Sequence, residues 1–84
     1  MPTKAHDMAC GMAALSICES LLLALNDLNV LADTDAVGII NDAASAHRDA
    51  GTTIDEKAMH QSVVTILDRI IASGNSVRRP APNI

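Results

Sequence analysis

The sequence predicts an all-α fold: a three-helix, up-down-up unit with helices over about 8–31, 35–50 and 54–73 that completes its core as a homodimeric helical bundle. Three observations lead there. Apolar residues recur with helical period in three separate segments. Capping residues punctuate the gaps between those segments. The chain contains no Trp, Tyr or Phe, so a single 84-residue domain must build its core from Leu, Ile, Val, Met and Ala.

The first helix follows a short leader over 1–6, with Asp7 as the expected N-cap. Ala14, Leu15, Ile17, Cys18, Leu21, Leu22, Ala24, Leu25, Leu28 and Leu31 spread over roughly 200° of its circumference, twice the stripe of an ordinary surface helix. Met8, Met12 and Leu23 form a second apolar edge beyond that arc. A helix so broadly apolar must be covered from more than one side. At about 36 Å it also outruns the second helix by roughly 12 Å. A second copy of the chain meets both needs, with Met8, Met12 and Leu23 as the expected interface, and two-fold pairing is the commonest oligomer.

Ala32-Asp33-Thr34-Asp35 ends the first helix and opens the second, with Thr34 as the expected cap. The buried stripe of the second helix is Ala36, Val37, Ile40, Ala43, Ala44, His47 and Ala50, and Gly51 stops it. Thr53-Ile54-Asp55-Glu56 matches a capping box, which starts the third helix. There Met59, His60, Val63, Val64, Ile66, Leu67, Ile70 and Ile71 share an arc of about 160°. Gly74-Asn75 ends that helix, and 75–84, with Arg78-Arg79-Pro80-Ala81-Pro82, reads as an extended tail.

Composition excludes several functions. Binding of single strands or RNA by base stacking needs aromatic faces. The stretch 8–74 carries nine acids against the three bases Arg48, Lys57 and Arg69, which repels nucleic acid phosphates. Cys10 and Cys18 lie about 12 Å apart along one helix, too far for an intrachain disulfide, which fits reduced thiols and a cytoplasmic protein. Met8 to Leu25 carries a single charge, Glu19, and approaches the length of a membrane span. Ser16, Glu19, Ser20, Asn26 and Asp27 share one side of it, so the expectation is a helix that does not enter a membrane.

One constellation carries chemistry. Cys18, His47, His60 and Glu56 project toward one end of the expected bundle, and thiolate, imidazole and carboxylate are ligands of zinc and other transition metals. Glu56 is already engaged by its capping box, and no spacing in the chain matches a strong metal motif. The leading functional reading is therefore a non-enzymatic, self-associating interaction or structural module, with a further protein partner open. A small metal or redox protein using the Cys18/His47/His60 cluster comes second, and a small enzyme subunit third.

Overall fold

A computed structural model describes residues 3–74 and Val77. Three helices follow in order: α1 (Lys4–Asp27), α2 (Asp33–His47) and α3 (Ile54–Ser73). Met8 and Met12 flank the same gap as Val63, and Leu22 and Ile70 flank the next gap along. α1 and α3 thus run in one direction and α2 returns between them, the expected up-down-up order.

The helix ends differ from expectation in ways the backbone explains. α1 starts one turn early: Thr3 is its N-cap and its hydroxyl accepts the N–H of His6, so Asp7 stands in the first turn and residues 4–6 of the expected leader are helix. It stops at Asp27 although the apolar phase continues to Leu31. Asn29 adopts a left-handed conformation (φ 59°). Val30 N–H then reaches Leu25 O, and Asn29 N–H reaches Asn26 O. That pair of bonds is a Schellman closure with Asn in the place glycine usually takes. The Asn26 amide donates to Leu31 O and to Asp33 Oδ1, tying the end of α1 to the start of α2. α2 begins at Asp33 with Ala32 as N-cap and no side-chain cap, so Thr34 lies inside the first turn.

α2 ends at His47, three residues before the expected Ala50. Asp49 turns left-handed at φ 61° and Gly51 follows at φ 94°. A Cβ on Gly51 would lie 2.9 Å from Glu56 Cβ and 3.0 Å from the backbone of Glu56 and Lys57. Backbone atoms cannot swing aside, so Gly51→Ala is expected to cost about 2 kcal/mol or more, from the conformation and the clash together. A urea midpoint equal to wild type would show that the loop relaxes around the methyl.

The α3 boundaries match expectation, and so does the capping box. Thr53 Oγ1 accepts from Glu56 N–H while the Glu56 carboxylate accepts from Thr53 N–H, Thr52 N–H and the Thr52 hydroxyl. Those donors, Thr53 N–H foremost, hold the Glu56 pKa down to about 2 from an ordinary 4.5. A carboxylate with a depressed folded pKa stabilises fully above the unfolded value and loses its contribution as pH falls through the folded one. Melting temperatures should therefore carry an acid-sensitive component between about 4.5 and about 2. Glu56→Gln should flatten that component, and an unchanged acid profile would assign it to another carboxylate.

Among the described residues the buried apolar side chains are Ala36, Ile40, Ala44, Val64 and Val77. Ala36, Ile40 and Ala44 form an i, i+4, i+8 stripe on α2 that faces α3. Ile40, Ala36 and Val77 cluster, with Leu22, Leu31, Val37, Leu67, Ile70 and Ile71 packed half-buried around them. Val77 belongs to the segment expected as an extended tail, and it is 2% exposed. The rest of that segment lies outside the described residues.

Candidate functional site

Two places in the fold gather chemistry or unpartnered surface. The first is the hairpin end where α2 hands over to α3. His47 Nδ1 and His60 Nδ1 are 2.7 Å apart, with the rings tilted by 34° and their centroids 5.0 Å apart. One ring donates its Nδ1–H and the other accepts on a bare Nδ1, so the two imidazoles hold opposite tautomers at that atom. The bond cannot persist with both rings protonated, because two N–H groups would then face each other. A cavity of about 390 Å³ opens beside His47, bordered by Asp49, Lys57 and Gln61.

The expected Cys18/His47/His60/Glu56 cluster assembles only in its histidine pair. Glu56 is occupied at the N-terminus of α3 by the four hydrogen bonds of its cap. Cys18, expected to point inward beside His47, is exposed and borders an apolar gap with Leu15, Leu22 and Ala43. The cause is the rotation of α1. The helix turns its Met8–Leu15–Leu22 side toward the hairpin, and Cys18 falls at the edge of that side. Among the described residues no three His, Cys, Asp or Glu side chains gather in a metal-binding group. The Nδ1–Nδ1 distance is also shorter than the about 3.4 Å that separates two nitrogens on a tetrahedral zinc.

The second place is α1 itself. None of its 24 residues is buried, and every residue from Lys4 to Ala14 is exposed. Two apolar gaps separate it from the hairpin. One of about 420 Å³ lies between Met8, Met12 and Leu15 on α1 and Val63, Ile66 and Leu67 on α3. The other, about 270 Å³, lies further along at Leu22. Of the expected interface residues, Met8 and Met12 are 68% exposed at the rim of the larger gap, whereas Leu23 is half-buried.

Round the helix from those gaps, and bordering them at Cys18, α1 presents a second apolar stripe. Ile17, Leu21 and Leu28, which the sequence places in the inward arc, are 68%, 57% and 71% exposed. With Cys10, Ala14 and Ala24 they alternate in steps of four and three residues, the spacing of a helix-pairing seam. Near the start of that stripe His6 Nε2 lies 3.5 Å from Cys10 Sγ. Starting α1 at Met8 leaves His6 outside the helix and hides this i, i+4 pair. The signal that finds it is Thr3, three residues before His6, as a helix N-cap.

No family model matches the chain, and no curated protein or solved structure is similar to it.

Proposed function

We propose that the chain is a self-associating helical interaction module without enzymatic activity, and that it pairs with a second copy through the outward face of α1. The observation that carries this reading is a 24-residue helix with no buried residue, on which Ile17 and Leu21, with the C-cap residue Leu28 beyond them, stand exposed along one line. Ile17, Leu21 and Leu28 alone leave about 300 Å² of apolar surface on one line, the size of the largest patch on many monomers. A second copy supplies a matching stripe, since the 4-3 pattern is complementary to itself. Sedimentation equilibrium of the full chain from micromolar to hundreds of micromolar tests the reading: a dimer supports it, and a monomer throughout overturns it.

One observation favours a second reading. α1 is long and apolar enough to cross a membrane. Against insertion stands the Glu19 carboxylate at mid-helix, with Ser16 and Ser20 beside it, because a charge in the bilayer centre is costly. A chain that stays monomeric in buffer and floats with neutral lipid vesicles would establish this reading in place of the first.

A further inference from the structure

His6 and Cys10 lie one turn apart on α1, and both are exposed. An imidazole nitrogen at 2.0–2.1 Å and a thiolate at 2.3 Å from a tetrahedral zinc are about 3.6 Å from each other. The 3.5 Å between His6 Nε2 and Cys10 Sγ, a hydrogen bond across one turn of α1, matches that edge in length. The His47–His60 pair offers no such edge, because its 2.7 Å separation falls well short of the distance between two donors on one ion. Two donors alone make a weak site, and structural zinc is held by four. Among the described residues no third His, Cys, Asp or Glu joins them.

We infer that His6 and Cys10 are half of a zinc-class metal site, completed by the same two residues of a second copy across the α1 seam. This inference rests on the self-association proposed above. Cys10 stands at the start of the stripe that continues through Ala14, Ile17, Leu21, Ala24 and Leu28. Parallel pairing along that stripe brings the two Cys10 residues to one level, with a His6 one turn before each. Antiparallel pairing would separate them by the length of the seam, so the ion also selects the parallel arrangement. A thiolate-bearing donor set favours zinc and other soft or borderline ions over magnesium or calcium. On binding, the Cys10 thiol gives its proton to solvent and His6 coordinates as a neutral ring with the proton on Nδ1. No electron is transferred. The stripe covers less than three heptads, short for independent pairing, so an ion bridging its end adds substantially to dimer stability.

Cobalt(II), a spectroscopic stand-in for zinc, tests the site on the full chain with its thiols kept reduced. The expected result is a tetrahedral cobalt spectrum with thiolate charge transfer, saturating at one ion per two chains. In sedimentation equilibrium, zinc should tighten the dimer by at least about tenfold relative to EDTA. Cys10→Ser and His6→Ala should abolish both effects without loss of helical circular dichroism, and Cys18→Ser should leave both intact. Absence of the thiolate band, its survival in Cys10→Ser, or saturation at one ion per chain would each overturn the shared site. A dimer equally strong in zinc and EDTA, with no cobalt band, rejects the site and leaves self-association standing. A monomer under both conditions rejects both.

Discussion

Ile17→Glu and Leu21→Glu are each expected to dissociate the dimer while leaving helical circular dichroism unchanged. Both side chains are more than half exposed in the single chain, so neither substitution removes a contact that folds it. In a two-fold pair each position is buried twice. Losing an Ile or Leu side chain from an apolar contact forfeits about 1.5–3 kcal/mol, hence about 3–6 kcal/mol per dimer. That corresponds to roughly a hundredfold to a ten-thousandfold weaker association. Two carboxylates facing each other across the seam add repulsion. Met12→Glu is the informative companion, because Met12 borders the gap toward α3 on the other side of the helix. Sedimentation equilibrium should show Ile17→Glu monomeric at concentrations where Met12→Glu still pairs. The reverse order would return the interface to the Met8/Met12 edge that composition alone suggests.

The helices were readable because their ends are written in local chemistry. Thr53 with Glu56 marks the start of α3 and Gly74 its end, and both need only neighbouring residues to act. Helix ends that local chemistry does not mark are decided by longer-range or conformational interactions. Leu28 and Leu31 keep the apolar phase of α1, yet the helix ends at Asp27 with Leu28 as its cap, left-handed Asn29 closes it, and Asn26 locks the turn onto Asp33. The meeting of His47 and His60 was legible, since each sits on the apolar stripe of adjacent antiparallel helices joined by a short loop. The position of Cys18 was not. A helix apolar over half its circumference gives no local signal for which part of that arc packs inward. Here the hairpin takes the Met8–Leu15–Leu22 side and leaves Ile17 and Leu21 outside. The same breadth hid the seam that begins at Cys10, because outward and inward apolar positions look alike in a sequence.

Ile40→Ala is expected to be the most damaging single truncation in the folded chain. Ile40 is 4% exposed and belongs to the cluster with Ala36 and Val77, ringed by half-buried side chains from all three helices. Large-to-small changes at such sites cost about 2–5 kcal/mol, from lost transfer energy and the cavity left behind. The upper part of that range applies only if neighbours cannot collapse, and here two of them are alanines (Ala36 and Ala44) with no volume to give. Total stability for 84 residues is of the order of 4–13 kcal/mol. An aromatic-free core places this chain toward the low end, so Ile40→Ala should leave a substantial unfolded fraction at room temperature. Leu67→Ala and Ile70→Ala read as core changes from periodicity alone, but both residues are only half-buried beside the α1 gaps. They should cost less than Ile40→Ala. Urea unfolding followed by circular dichroism checks the order, at one fixed concentration because dimerisation adds to apparent stability. If Leu67→Ala proves as costly as Ile40→Ala, the space between α1 and α3 is filled in solution, and Leu67 is part of what fills it.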